Sequence, residues 1–357
     1  MATVKNTAAI VQGERMKFIK CDREHGAEWN NFVQNSARAS FYHRFEWREL
    51  NQRCFGHETA YLAAVEADRI VGVFPMVRLS SSLFGNLACS MPFVNYGGPC
   101  GESDQIEQML LEQSEAIASD WRVDYLEIRS QRRLDARYPS AEHKVSMTIP
   151  LCADEDALLK AFTSSHRGEL KRAYNKGFTT RRGPELIDDF YQVLSESWRD
   201  LGTPIYHIDY LKSVVRAFPN NTRVTVVYAA DGQPAAGAID GIHNDTLEGM
   251  WLGIRGAYKK QLVGYVLYWE LIRSACREGY RAFHLGRSSK DSGGEQFKRK
   301  WNASARQLYW HYILRSNKAI PELNVNNPKY SLAISVWRRL PVGVTQQIGP
   351  LIARSIP

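Results

Sequence analysis

VTVVYAADGQPAAGAIDGI, Val224–Ile242, is the stretch that decides the fold. Two runs rich in Val, Ala and Ile flank Asp231-Gly232-Gln233. Asp-Gly between two apolar runs is a strong signal of an antiparallel hairpin, because both residues accept the positive φ of a tight turn. The stretch predicts one strand from Val224 to Ala230 and a second from Ala235 to Ile242. An earlier stretch, AYLAAVEADRIVGVFPMV, Ala60–Val77, follows the same plan, with a tight turn at Ala67-Asp68-Arg69.

Outward from these hairpins the parallels continue. A third strand is expected at Leu87 to Val94 in the first copy and at Thr246 to Gly253 in the second. Ile106, Met109, Leu110 and Ile117 then mark one helical face, and Val263, Val266, Leu267 and Leu271 mark another. A strand follows each helix, at Asp124 to Ile128 and at Arg281 to Leu285. Gly72 and Gly237 stand 165 residues apart, and Tyr125 and Phe283 stand 158 apart. A near-constant offset over hairpin, strand, helix and strand argues for a duplicated α/β unit.

Between the copies, one helix is expected from Leu158 to about Lys176 and an amphipathic helix from Leu186 to Leu201, ended by Gly202-Thr203-Pro204. Gln307 to Leu314 reads as a last strand, Pro321 to Pro328 as a Pro/Asn-rich linker, and Tyr330 to Ile356 as an apolar tail carrying Arg338, Arg339 and Arg354. The expected domains are 16–150, 151–320 and a basic amphipathic tail, 321–357.

The chain has 357 residues, enough for two domains at ~100–200 residues each. A hydrophobic content of 44% excludes a mostly disordered chain. The net charge is +8, but Lys298 to Pro357 alone carries +9, so residues 1–297 sum to −1. That asymmetry argues against a general nucleic-acid coat and for one local anionic partner. The six cysteines form no CxxC pair, which disfavours a zinc ribbon or disulfide framework and suits a reducing, cytoplasmic setting. Met1 to Lys17 has no apolar core of leader length, and no run approaches ~18 apolar residues.

Several motifs go further. Phe41-Tyr42-His43-Arg44-Phe45-Glu46-Trp47 precedes the first hairpin, and Pro92-Phe93-Val94-Asn95-Tyr96-Gly97-Gly98-Pro99 closes the third strand. Arg199-Asp200-Leu201-Gly202-Thr203-Pro204 stands mid-chain. Phe283-His284-Leu285-Gly286-Arg287-Ser288 is followed by Phe297-Lys298-Arg299-Lys300-Trp301. Together these resemble the FemAB-like family, above all its branch associated with exosortase and exopolysaccharide gene systems. The resemblance spans about Phe41 to Leu314. It implies two tandem GNAT-like domains, each a mixed sheet flanked by helices. It also implies transfer of an acyl or aminoacyl group to an amine of a cell-envelope or exopolysaccharide precursor. The family's best-known members take an amino acid from aminoacyl-tRNA to a peptidoglycan precursor.

Amide formation from an activated acyl group needs a neutral amine, a stabilised oxyanion and a departing proton. It needs no dedicated nucleophile, and neither GxSxG nor a Cys/His motif is present. Gly286, Arg287 and Ser288 are candidates for holding an anionic substrate, since Gly admits close backbone approach and Arg grips phosphate or carboxylate with two bonds; the alternative is a packed strand end. Lys298 is a candidate catalytic residue beside Arg299 and Lys300, the alternative being a solvated charge run. Trp301 is either core or a lid over the cleft. Glu270 is a candidate general base, the alternative being a surface residue of a helix, and Trp251 and Tyr268 are candidate cleft walls, the alternative being plain core.

Gln261 and Gly264, in Gln261-Leu262-Val263-Gly264-Tyr265-Val266, approach the pyrophosphate loop R/Q-x-x-G-x-G/A of acyl-CoA enzymes, with Val266 departing from the small last residue. Arg167 heads a basic stretch with His166, Lys171, Arg172, Lys176, Arg181 and Arg182, read either as a tRNA or sugar-nucleotide contact or as an exposed helix face. His43, Tyr96, Gly97 and Gly98 are candidates for the first copy's cleft, His43 being equally readable as a hydrogen-bonded structural histidine. No bound cofactor is expected; the donor is aminoacyl-tRNA or acyl-CoA. Expected partners are an anionic sugar-nucleotide or lipid-linked precursor, tRNA, and an inner membrane face met by the tail, the alternative for the tail being a C-terminal helix docked on the body. The competing function is a non-catalytic GNAT-like scaffold of polysaccharide assembly. The −1 charge of residues 1–297 argues against a nucleic-acid-binding module.

Overall fold

The computed structural model describes residues 9–11, 14–82, 84–315, 320 and 328–357. The chain forms two units. One takes the chain up to His143 with Gln307–Ile320 and residues 355–357; the other takes Lys144–Arg306 and Pro321–Arg354.

The first unit opens with β1 (Ala9–Val11), β2 (Glu14–Cys21), α1 (Gly26–Asn35) and α2 (Glu46–Phe55). β3 (Glu58–Glu66) and β4 (Arg69–Ser81) form an antiparallel hairpin in which Glu66 pairs with Arg69. Ala67 and Asp68 turn it with φ of 48° and 54°, the two-residue geometry whose twist matches paired strands. β5 (Gly85–Cys89), β6 (Cys100–Gly101), α3 (Asp104–Asp120) and β7 (Tyr125–Ser130) complete this copy. Ser103 caps α3 by accepting from the Ile106 amide, and the helix buries Ile106, Leu110, Leu111 and Ile117 in the core. That spacing of three and four is the apolar stripe of a surface helix. α3 links β5 to β7, which run parallel.

The second unit contains β8 (Ser140–Pro150), α4 (Glu155–Ala161), α5 (Ser164–Tyr174), β9 (Thr179–Arg182), α6 (Ile187–Leu201) and α7 (Ile208–Ala217). Its copy of the repeat is β10 (Thr222–Tyr228), β11 (Pro234–His243), β12 (Thr246–Ile254), α8 (Gly256–Lys259), α9 (Val263–Arg277) and β13 (Ala282–Ser289). α10 (Gly293–Arg299), β14 (Ser304–Leu314), α11 (Pro328–Trp337) and α12 (Val342–Ala353) follow. β12 and β13 are parallel, as β5 and β7 are. The sheet orders are β1-β2-β3-β4-β5-β7-β14, with β6 on β4, in the first unit and β8-β13-β12-β11-β10-β9 in the second.

Strand exchange sets the division into units. β14 pairs antiparallel with β7, so chain from beyond the second repeat finishes the first sheet. β8 pairs antiparallel with β13, so chain from before that repeat finishes the second. The sequence reading, with boundaries at 150 and 320, follows chain order and lacks this exchange.

Three local readings also differ from the structure. The expected strand Leu87 to Val94 ends at Cys89, and Phe93 takes φ +70° as the chain turns inward. The expected helix from Leu158 to Lys176 is two helices, broken at Phe162 and restarted where Thr163 Oγ1 caps the His166 amide at 3.2 Å. Arg181 and Arg182 lie on the edge strand β9, not on a helix face. The tail, for which a helix docked on the body is one of two readings, is a docked helical pair: a Cβ on Gly349 would lie 3.0 Å from the Ile205 backbone, and Gln346 Nε2 donates to Ser195 Oγ at 3.1 Å. Apart from Pro328, the Pro/Asn-rich linker lies outside the described residues.

Candidate active site

β12 and β13 pair over three residues only, Thr246 to Glu248 against Ala282 to His284. Beyond that point each strand follows its other neighbour. β12 carries an extra residue, Met250, between the pairs Asp240–Gly249 and Ile239–Trp251. β13 is bulged at Leu285 and Gly286, between the pairs His284–Thr148 and Arg287–Ser146. Bulges bend and twist a strand, so two bulges flanking one short parallel ladder part the strands. Gly286 takes φ +74°, a left-handed conformation suited to glycine.

The carbonyls at this bulge meet Lys298. Its Nζ donates to Gly286 O at 3.3 Å and to Arg287 O at 3.1 Å. An ammonium has three N–H donors, so two are spent on the bulge and one remains. Lys298 is only 8% exposed. Burial, helped by the nearby Arg287 charge, pulls its pKa from 10.5 to about 7. The segment holding it is fixed at both ends. Ser292 Oγ accepts from the Glu295 amide, and Glu295 accepts from the Asp291 amide at 2.7 Å and from Arg299 at 2.6 Å. At the far end Trp301 is fully buried, stacked on Tyr268 at 5.7 Å and edge-on to His166 at 4.3 Å. The basic triplet thus divides: Lys298 points in, while Arg299 and Lys300 are exposed. Trp301 is core, and no lid is formed by it.

His284 and Glu248 lie at the end of the short parallel ladder, with His284 Nδ1 3.3 Å from Glu248 Oε2 and accepting from the Gly286 amide at 3.1 Å. Burial and the Lys298 charge push the imidazole pKa down to about 3, so this ring is neutral at physiological pH. Sequence reasoning gives neither residue a role. The signal was there in outline: a histidine between Phe283 and Leu285, and a glutamate after Leu247, are polar residues inside apolar strands.

The remaining candidates fall in several places. Arg287 is half-buried and Ser288 buried on β13 beside Lys298's anchors. Tyr268 belongs to the core with Trp301, but Trp251 packs on Tyr206 and Tyr210 in a separate aromatic group. Glu270 accepts from the Tyr174 hydroxyl and pairs with Arg273 at 2.9 Å, tying α9 to α5. Arg167 Nη1 donates to the carbonyls of Lys160 and Phe162, closing the break between α4 and α5. Gly264 is buried at the start of α9, where a Cβ would stand 3.0 Å from Ile254 Cδ1. Gln261 sits in the turn before it, its amide bonded to Tyr258 O at 3.0 Å.

In the first unit the corresponding parting of strands is filled. β5 and β7 pair only at Ala88–Leu126 and Cys89–Glu127. Residues 90–99 then fold back into the interior, every one of them buried. The Gly97 amide donates to Arg129 O at 3.1 Å, and a Cβ on Gly97 would sit 2.4 Å from Met91 Cγ. His43 Nε2 donates to Gly98 O at 2.9 Å while Nδ1 accepts from the Ser40 amide at 3.1 Å. Burial lowers the His43 pKa to about 4. Tyr96 packs edge-on to Tyr42 at 5.2 Å. The structure thus brings His43, Tyr96, Gly97 and Gly98 together as an internal plug: His43 takes the structural one of its two readings, and Tyr96, Gly97 and Gly98 line no cleft.

Among the described residues, no group of three His, Cys, Asp or Glu side chains is placed to hold a metal ion. Residues 160–299 match the acetyltransferase (GNAT) domain family, the stretch that runs from α4 to α10. No curated protein matches the chain. Among solved structures, that of FemX is similar at 13% identity, over 89% of this chain and 99% of that one, with a TM-score of 0.62. L-PGS from Bacillus licheniformis is similar at 14% identity, over 89% and 97%, with a TM-score of 0.55. A tandem GNAT protein from the clavulanic acid biosynthesis pathway is similar at 10% identity, over 85% and 100%, with a TM-score of 0.53. At such identities the likeness is one of fold: a tandem GNAT-like α/β architecture.

Proposed function

We propose that the chain is an N-acyltransferase that forms an amide on an amine of a cell-envelope or exopolysaccharide precursor, with the second unit as the catalytic one. The observation that carries this reading is the buried Lys298 amine on the carbonyls of a bulge beside two parting strands. The match of residues 160–299 to a GNAT domain supports it.

In this reaction the donor's acyl carbonyl lies at the parting of β12 and β13. A neutral acceptor amine attacks the carbonyl carbon, and the C=O pair moves to oxygen. The protonated Lys298, populated up to its pKa of about 7, has a third N–H, and that N–H stabilises the oxyanion in a desolvated setting, where a fixed donor is worth most. Collapse re-forms the carbonyl and breaks the bond to the leaving group, a CoA thiolate or a tRNA ribose oxygen. The leaving group takes up the proton that the new amide nitrogen sheds. Arg287 binds the anionic part of a sugar-nucleotide or lipid-linked acceptor. Glu270, already engaged by Tyr174 and Arg273, serves as the brace between α5 and α9. The first unit, with its interior filled, serves as a structural copy. The exosortase and exopolysaccharide setting rests on the motif resemblance, the cytoplasmic place on the scattered cysteines, and the inner membrane face on the apolar, basic tail.

The test is donor binding and transfer with purified protein. Acyl-CoA, charged tRNA and uncharged tRNA are titrated at two salt concentrations, and transfer to an amino-sugar acceptor is followed by mass spectrometry. Tight, salt-tolerant CoA binding supports the acyl-CoA donor; salt-sensitive preference for charged tRNA supports aminoacyl transfer. Binding of neither donor overturns the reading in favour of a scaffold, and transfer unaffected by Arg287→Ala and Lys298→Ala overturns the assignment of the site to these residues.

A further inference from the structure

Every large hydrophobic side chain that is exposed among the described residues lies on α11, on α12 or at the adjoining end of α6. Leu332 is 76% exposed and Val336 53% on α11, one helical turn apart. Leu351 is 70% exposed on α12, in line with Val344 and Ile348. Leu201, 54% exposed, ends α6 where Arg338 Nη2 donates to its carbonyl at 3.3 Å. The opposite side of α12 is spent on packing, through buried Thr345, Gly349 and Ala353. The helices are therefore docked by one face and present an apolar face outward, contrary to the polar surface a solvated helix pair shows.

The charge of the same segment selects the occupant. From Pro328 to Arg354 the sequence carries Lys329, Arg338, Arg339 and Arg354 and no acid. A second copy brought face to face would set these cations against each other. An anionic lipid surface accepts both the apolar side chains and the cations. Among the described residues no helix is long and apolar enough to cross a membrane. We infer that α11 and α12 dock the protein on an anionic bilayer, with Leu332, Val336 and Leu351 entering the headgroup region. This surface makes the membrane contact that the proposed function includes, and it needs no transfer step.

The full chain is sedimented with vesicles of phosphatidylcholine alone and with roughly one-third phosphatidylglycerol, at low and high salt. Binding is expected on the anionic vesicles, weaker on the neutral ones and weakened by salt. Leu332→Glu with Leu351→Glu, both at exposed positions, is expected to cut binding at least about tenfold while circular dichroism and Tm stay unchanged. Arg339→Gln is expected to cut it about fivefold. No binding to anionic vesicles, or equal binding by the double variant, overturns the inference. So does a concentration-dependent dimer in analytical ultracentrifugation that the double variant abolishes, which would assign the face to a second copy.

Discussion

Lys298 Nζ lies 3.3 Å from the carbonyl oxygen of Gly286, the residue whose φ of +74° forms the bulge in β13. The amine is thus placed by a backbone conformation that a Cβ opposes. Gly286→Ala is expected to destabilise the protein by about 1–2 kcal/mol, the cost of an L side chain in the left-handed region. It is also expected to lower transfer, because the carbonyl holding Lys298 shifts. Urea unfolding and a transfer assay on the same sample check both effects; unchanged transfer in a destabilised variant would separate the bulge from the chemistry.

Lys298 is a liability for folding. Its pKa is lowered on burial, so between about 7 and 10.5 the unfolded chain holds a proton that the folded chain does not. Stability from this group therefore rises as pH rises through that window. Lys298→Met, which keeps the apolar stem, is expected to hold or raise Tm at pH near 7 and to flatten that dependence. Transfer is expected to fall about 10²–10³-fold, as for loss of one oxyanion donor. Thermal melts across that pH range and steady-state kinetics measure the two halves.

Much of the repeat is legible in the sequence because its signals are local. Asp231-Gly232 and Ala67-Asp68 set turns, and the apolar spacing of Ile106, Leu110 and Ile117 sets a helix. What is not legible is long-range pairing. The exchange of β8 and β14 joins segments far apart in the chain, with no turn chemistry to announce it. The parting of β12 from β13 depends on two bulges that apolar alternation does not reveal. Lys298, Arg299 and Lys300 look alike as a charge run; only the bulge carbonyls and buried Trp301 distinguish the first from its neighbours.

Glu270 tests that distinction from the other side. Its carboxylate is shared by Tyr174 and Arg273, between α9 and α5. Glu270→Gln keeps the shape and an acceptor for the Tyr174 hydroxyl but loses the ion pair. Transfer is expected within about threefold of wild type, with stability lowered by roughly 1 kcal/mol. A loss of transfer as large as that of Lys298→Met would make Glu270 the base after all.

Acid should unfold this protein through buried imidazoles. His43 and His166 are pushed to about 4 and His284 to about 3, each mainly by burial. All three are neutral in the fold and charge near 6.5 when unfolded, so each contributes stability that is lost as pH falls from 6.5 toward 4. Asp240 acts in the opposite sense. Burial raises its pKa from 3.8 to about 6, so the folded chain gains a proton before the unfolded one does. His311 is lowered by burial as well, and four imidazoles against one carboxyl leave a net loss, of up to about 1.4 kcal/mol per pH unit for each uncompensated group. Denaturant midpoints should fall from neutral pH toward about pH 4.5, and ring nitrogen shifts should report neutral imidazoles at pH 5 or so. A midpoint that rises on acidification would mean that Asp240 dominates.

The plug of the first unit predicts a separation of stability from chemistry. Arg129 is 1% exposed, paired with Glu127 at 2.7 Å and set over the Trp310 ring at 4.6 Å. Tyr312 hydroxyl completes the group by donating to Glu127 at 3.1 Å. Removing one partner of such a pair leaves the other charge buried, so Glu127→Gln is expected to cost about 3–5 kcal/mol. Gly97→Ala places a Cβ against Met91 with no free space, and overpacking of this kind costs about 1–3 kcal/mol. If the first unit is structural, transfer per folded molecule is expected to stay near wild type in Gly97→Ala below its melting range. A large fall in that ratio, with donor binding weakened in parallel, would instead make the first copy part of the catalytic apparatus.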